Sequence, residues 1–500
     1  MVKEKEFPVE YTGMNVLIMG LGLHGGGLES ARYLASHGAK LTVTDLRDEK
    51  ILTPSIEKLK AAGISARYVL GHHNIEDFEN ADMIIKNPGV PPDSPYLRAA
   101  SDQRSADRGS AHIETDISLF LAASPARLIA VTGSKGKSST SSAIHWVLDQ
   151  ARKRCLLPGK AYLGGNITVS PLTFLDTLTA DDDVVLELSS WQLGDLKGRL
   201  HPGSAGANPI ALLKPRAAVL TAIMPDHLDR YGTMEAYVAD KRVIYQGQDK
   251  TDATIAADDR WGQSFLAETP GRPMVYGEKP LPEGTAGGWV ESPGGRGLAQ
   301  LAAKLPAQPA SGEIIELVPA KLLVPGSHQK KNLLAAGLAL LDLGLPADFI
   351  RESLGSFPGI EHRLEFFHES RGIRFYNDTA ATIPEAAAAA VEAFDQPVIL
   401  VSGGTDKNLD FSCLVKAAAN AKAVILLAGT GSEKLRRLLD QAAIPYRGPW
   451  DSVDGAVHSA LETAAAGDVV VLSPGCASFG MFLNEFDRGH KWKDAVLRLA

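Results

Sequence analysis

The stretch Val131–Thr140 reads VTGSKGKSST, and the apolar run RLIAV leads into it. Compact glycines at 133 and 136 can turn backbone amides inward as an anion nest. Lys137 can then reach terminal phosphates, and the Ser138 hydroxyl can face Mg2+. The usual nucleotide loop spaces its glycines by four residues, whereas only Ser134 and Lys135 intervene here. A solvated Gly/Lys/Ser loop is the alternative, but a strand before it and the helical SSAIHWVLDQA after it favour the nest. Further on, Glu187 closes the apolar run DVVLE, where a buried carboxylate is costly unless it is paired or bound to metal. A metal ligand is the economical reading. Asp226, His227, Asp229 and Arg230 follow another strand, and His227 taken alone reads as a satisfied core histidine.

A second glycine cluster, GLGLHGGG, places Gly20, Gly22 and Gly25 in dinucleotide spacing between a strand and a helix, with Asp45 about twenty residues on. NAD is the first thought. The spacing specifies a pyrophosphate cradle rather than nicotinamide, because glycine allows close approach and a helix N-terminus offers unpaired N–H groups to any diphosphate. Asp45 with Arg47 can read a ribose or base edge, or form a solvated loop pair.

Three series of elements must position these residues. The first alternates MNVLIM, GGLESARYLASHG, KLTVTDL and ADMIIKNPG, the rhythm of a parallel sheet with crossover helices. The second runs from RLIAVTG through DVVLELSS and RAAVLTAI, with a helical TMEAYVADKRVIYQ after them. Residues 278–312 turn rich in Gly, Pro, Ala and Glu and read as hairpins or exposed loop rather than core. The third series holds IRFYND, PVILVSGG, AVILLAGT and DVVVLSPG, and three of these runs close on glycine. The expected fold is α/β in three domains: residues 1–115 Rossmann-like, 116–359 a P-loop-type ATPase with a mainly parallel sheet, and 360–500 again Rossmann-like.

The chain has 500 residues, 45% of them hydrophobic and 22% charged, too many for one ordinary core. A formal net charge of -8 argues against a nucleic-acid binder working by broad electrostatics. Cys155, Cys413 and Cys476 are too few and too scattered for a disulfide framework or a metal knuckle. With no signal-like or bilayer-spanning apolar run, the expectation is a cytoplasmic protein without membrane insertion.

The loop TGSKGKSS resembles the TGTNGKST-type loop of the Mur ligases. GGNI, ELSSWQL, MPDHLDRY with ADKRVIY, GSHQKKN, EHRLE, YND and LSPGCAS recur in that family's order. The resemblance spans nearly the whole chain, and ELSSWQL points to the branch that adds D-glutamate. It implies an ADP-forming ligase that uses ATP and two Mg2+ ions to activate the carboxylate of UDP-N-acetylmuramoyl-L-alanine as an acyl phosphate, which the glutamate amine attacks. Peptidoglycan synthesis would be its setting and a monomer its state. By the same resemblance Gly133, Ser134, Lys135, Gly136, Lys137, Ser138 and Ser139 would cradle ATP phosphates, and Asn332, Arg363 and Asp378 would touch the nucleotide. Ser138, Glu187 and His227 would bind metal. Lys241 matches a position that family members modify with CO2 to a carbamate, which makes it an anionic ligand instead of a repelling ammonium. Gly22, Leu23, His24, Asp45, Leu46, Arg47, Asn87, Gly89 and Asn166 match contacts to the UDP-sugar, and Thr382, Lys407 and Ser478 match glutamate contacts. An NAD-dependent oxidoreductase is the alternative of another class, and it leaves Lys137, Glu187, His227 and Lys241 unexplained.

The chain departs from the pattern in the third domain. Many members read NDSKATN where this chain reads NDTAATI, so Ala380 replaces a lysine and Ile383 an asparagine. Glu485 stands where an aromatic is common, with Phe486 displaced by one. An acid there would repel a dicarboxylate unless it points away or meets a cation. The alternative expectation is therefore the same chemistry with L-glutamate or another amino acid.

Overall fold

The computed structural model describes residues 11–23, 25–102, 111–167, 169–202, 204, 209–291, 295–301 and 313–500. Three sheets carry the molecule. The first contains β1 (Asn15–Met19), β2 (Lys40–Asp45), β3 (Ala66–Leu70), β4 (Met83–Lys86) and β5 (His112–Glu114) in the order β3-β2-β1-β4-β5. All four pairings are parallel. Strand order reverses between β1 and β4, so the loops leaving these two strands lie side by side.

The second sheet has nine strands. Its first six are β6 (Arg127–Thr132), β7 (Ala161–Gly165), β8 (Asp183–Glu187), β9 (Ala217–Leu220), β10 (Ala253–Ala257) and β11 (Arg272–Gly277), ordered β11-β10-β9-β6-β8-β7 and parallel throughout. β6 lies between β8 and β9, so the loops after these three strands converge at one sheet end. The reading of residues 278–312 as outside the core needs correction. Gly287–Val290 and Gly297–Gln300 are buried strands of this sheet, and Trp289 and Ala299 belong to the core. Glycine at 287 and 288 permits this because a Cβ at either position would strike the backbone of a neighbouring strand, so the flexible composition serves close packing.

The third sheet follows the order 365–370, 373–377, 469–472, 398–402, 423–427, 446–450, with an antiparallel edge at its first pair. By contact density the chain forms two compact units. One takes in residues 1–289, 298–315 and 334–350, and the other 290–297, 316–333 and 351–500. Cys155, Cys413 and Cys476 are all free thiols. No helix among the described residues is long and apolar enough to cross a membrane.

Candidate active site

Apolar β6 delivers the chain to Gly133, whose φ of 147° is closed to other residues, and a Cβ there would lie 1.8 Å from Thr221 Oγ1. Gly136, at φ 90°, then caps the helix Lys137–Lys153. The Ser134 hydroxyl donates to the Met224 carbonyl and accepts from the Met224 amide, both at 2.9 Å, which ties the loop to the segment after β9. Lys137 Nζ curls over its own loop and donates to the carbonyls of Gly133 (2.9 Å) and Ser134 (3.0 Å). Lys135 is exposed, and Ser138 and Ser139 are half-buried in the first helical turn.

This loop forms one wall of a cavity of about 490 Å3, which Asn166 also lines, and Glu187 is buried at the end of β8. Asn166 Nδ2 donates to Glu187 Oε1 at 3.1 Å, and Glu187 Oε2 is buried with no protein hydrogen-bond donor. Lys241 on the helix Met234–Lys241 is 1% exposed; it donates to the Gly133 carbonyl at 2.9 Å and lies 4.6 Å from the centre of the Tyr237 ring. Burial, and then the Lys137 charge, bring its amine down to about 7. Burial chiefly lowers the Lys137 amine as well. His227 holds a left-handed φ of 52° at the start of a short helix and packs 4.9 Å from the Trp191 ring, rather than sitting in the core. Lys137, His227 and Lys241 all line the cavity. Glu187 Oε2, which has no protein donor and lies near the Lys137 and Lys241 charges, suits a hard divalent cation provided Lys241 does not remain an ammonium.

The first glycine loop reaches the same cavity. Asp45, buried at the end of β2, accepts from the amides of Gly22 (3.2 Å) and Arg47 (2.9 Å). Asn87 and Gly89, after β4, line the cavity with Asn166, whereas Leu46 and Arg47 are exposed and Leu23 is half-buried. His24 lies outside the described residues. The fingerprint spacing does not mark Gly27. A Cβ there would come within 2.2 Å of the Gly20 carbonyl, so Gly27 allows the helix Gly26–Ser36 to pack on its strand turn. Asp116, Ser170, Trp191 and Tyr237 also line the cavity. Trp191 lies in ELSSWQL and Tyr237 in the helical TMEAYVADKRVIYQ, whereas Asp116 and Ser170 lie in no stretch singled out above.

The second unit holds the remaining predicted residues. Asp378 is buried after the strand Ile373–Asn377, accepts from Ser473 Oγ (2.6 Å) and the Leu364 amide (3.1 Å), and is pushed up to about 7 by burial. Arg363 and Lys407 are exposed, Thr382 and Asn332 half-buried, and Ser478 buried. Glu485 opens the helix Glu485–Leu499, and its carbonyl accepts from Thr379 Oγ1 at 2.8 Å. Its charge acts on Arg488, a buried guanidinium that donates to the Thr379 hydroxyl (3.0 Å) and carbonyl (2.9 Å) and to the Cys476 carbonyl (3.1 Å). Nothing in the sequence marked Arg488.

Parallel sheets with glycine loops at their carboxyl ends, one of them backed by a lysine and a buried carboxylate, define a multidomain α/β protein of the P-loop type. The sequence matches the MurD-like N-terminal domain of Mur ligases over residues 14–107, the Mur ligase middle domain over 131–340 and the Mur ligase glutamate ligase domain over 362–476. It is 41% identical to the UDP-N-acetylmuramoylalanine–D-glutamate ligase of Treponema pallidum, with 97% of each chain covered. It is 39% identical to the ligase of the same name from Roseiflexus sp., with 98% of this chain and 99% of the relative covered. The fold is similar to that of the UDP-N-acetylmuramate–alanine ligase of Thermotoga maritima, at a TM-score of 0.51 and 16% identity, over 97% of this chain and all of that one. The chain belongs to the Mur ligase family. The NAD reading of the first glycine loop gives way here, because the residues that carry it fall within the MurD-like N-terminal domain.

Proposed function

We propose that the protein is an ADP-forming ligase that uses ATP to join D-glutamate to UDP-N-acetylmuramoyl-L-alanine in peptidoglycan synthesis. The observation that carries this reading is the buried Glu187, whose Oε2 has no protein donor, whose Oε1 accepts from the cavity-lining Asn166, and whose charge acts on the cavity-lining Lys137 and Lys241. A carboxylate becomes an electrophile only once it has a leaving group, so two anions must be brought together. Gly133 to Ser139 hold the phosphates through backbone amides, and Lys137 swings from its loop carbonyls to the terminal phosphate. Ser138, Glu187, His227 and a carbamylated Lys241 would hold Mg2+, which would supply neutralisation of the negative charge. The low proton affinity of Lys241 supports the carbamate, because only the neutral amine adds CO2.

Gly22, Leu23, Asp45, Leu46, Arg47, Asn87, Gly89 and Asn166 form the nucleotide-sugar side, Asn332, Arg363 and Asp378 bind the ATP nucleoside, and Thr382, Lys407 and Ser478 bind glutamate. The domains 1–115, 116–359 and 360–500 divide these tasks in a monomeric, cytoplasmic enzyme. The test is a product assay with UDP-N-acetylmuramoyl-L-alanine, ATP and each glutamate enantiomer. The expected result is dipeptide nucleotide and phosphate release with D-glutamate alone. Phosphate release independent of amino acid, or product only with L-glutamate, overturns the reading.

A further inference from the structure

Lys86 is the last residue of β4, immediately before Asn87 to Gly89. Its side chain is 4% exposed and its Nζ makes two bonds. One goes to the Val90 carbonyl at 3.0 Å, which closes the turn over Asn87 to Gly89. The other goes to Asp195 Oδ2 at 2.7 Å, on a carboxylate whose side chain is 7% exposed. Asp195 ends the helix Ser190–Asp195, which follows Glu187 and carries Trp191 and Gln192 into the cavity. That helix is anchored at its other end by a capping box between Ser189 and Gln192.

Two further cations cross the same seam. Arg199 donates to Glu114 Oε2 of β5 at 2.5 Å and to the Asp195 carbonyl at 2.8 Å. Arg230 lies 4.3 Å from the Trp191 ring centre and 3.5 Å from the Pro88 carbonyl. The carbonyls of Pro88 and Val90, on either side of Gly89, are therefore each held by a cation.

Stability is a poor explanation for the Lys86–Asp195 pair. A carboxylate at the C-terminal end of a helix opposes the helix dipole. Burial works against both charges, lowering the Lys86 amine and raising the Asp195 carboxyl. Well-packed apolar residues generally hold such a seam as firmly as a buried ion pair. What they cannot supply is a fixed direction and length between two backbone segments.

We propose that Lys86 and Asp195 are positioning residues, a bridge that sets the reach between the nucleotide-sugar loop Asn87 to Gly89 and the phosphate-side helix bearing Trp191. The inference rests on the functional reading above, since it concerns how the two halves of that site meet. Misplacing reacting groups by about 1 Å can cost on the order of a hundredfold.

The test compares Lys86→Met, Asp195→Leu, their double variant and Asp195→Asn in the full-length protein, reading thermal midpoint, KM for each substrate and kcat. The expected result is a double variant that melts near the parent, with kcat/KM for UDP-N-acetylmuramoyl-L-alanine lower by about ten- to a hundredfold and KM for ATP within about twofold. Asp195→Asn keeps the size and an acceptor, remains folded, and loses about three- to tenfold. A double variant or Asp195→Asn with parental kcat/KM assigns the pair to structure alone and overturns the proposal. A parent protein that makes no dipeptide nucleotide instead overturns the functional reading, so the two failures are separate.

Discussion

The loops after β1 and β6 use one backbone device for different ends. Both leave a parallel strand through glycines with positive φ and enter a helix whose first amides are free for an anion. At the β1 loop Asp45 accepts from the Gly22 amide and so spends its charge on the loop's own shape. Around the β6 loop stand Lys137, Lys241 and Glu187, with one carboxylate oxygen left unpartnered. On the proposed function, glycine geometry supplies a place for phosphate at each loop, and the surrounding charges separate a loop that would hold it from one that would transfer it.

Removing the transferring charge should break this contrast most sharply. Lys137→Ala is expected to lower kcat for dipeptide-nucleotide formation by about a thousandfold, while calorimetry finds nucleotide-sugar affinity within about threefold of the parent. Equal losses at both sites would mean that the loops are one functional unit. Lys241 comes next. Lys241→Gln should lower kcat by about a hundredfold with no recovery in bicarbonate, because an amide can become neither a carbamate nor a comparable anion. In the parent the free amine titrates near 7, so below that value it is mostly protonated and above it mostly neutral. Carbamate content, followed by carbon NMR with labelled CO2, should therefore rise from about pH 6 to about pH 8.

The glycines offer a matched pair of intermediate size. Gly133→Ala drives a Cβ into Thr221, and Gly27→Ala drives one into the Gly20 carbonyl. Each should destabilise its loop by about 1–3 kcal/mol and weaken its own ligand by about tenfold. The first should spare nucleotide-sugar affinity and the second ATP affinity, both readable by calorimetry.

How much of this could be read from the sequence follows from where the information lies. Runs such as VLIM and VVLE are buried on both faces, so they announce parallel strands, and the glycine loops that end them are local in sequence. Glu187 was legible for the same reason, since an acid closing an apolar run demands a partner. Short, half-exposed β3 and the antiparallel edge strand 365–370 lack that continuous apolar signal, and they went unread. Gly27 was hidden because its role depends on a strand turn several residues away rather than on the fingerprint spacing. Asp116 and Ser170, bonded to each other across 54 positions at 3.0 Å, are brought together only by topology. Residues 287–290 misled because glycine composition describes both exposed turns and strands too close for a side chain.

Asp45 gives the smallest expected effect and the most specific test of the contrast. Its two oxygens accept from the Gly22 and Arg47 amides, so they hold the β1 loop and the exposed Leu46–Arg47 turn in one arrangement. Asparagine keeps the shape but offers only one acceptor oxygen, and its NH2 group would face an amide donor. One amide must then turn away. Charge-assisted bonds exceed neutral ones by roughly a factor of two, so Asp45→Asn should cost about 1 kcal/mol of loop order, or about fivefold in nucleotide-sugar affinity. If Asp45 only shapes the loop, kcat at saturating substrate stays at the parental value and ATP affinity does not move. If kcat falls as well, its charge acts on the reacting groups, and the division between a loop that holds phosphate and a loop that transfers it is wrong.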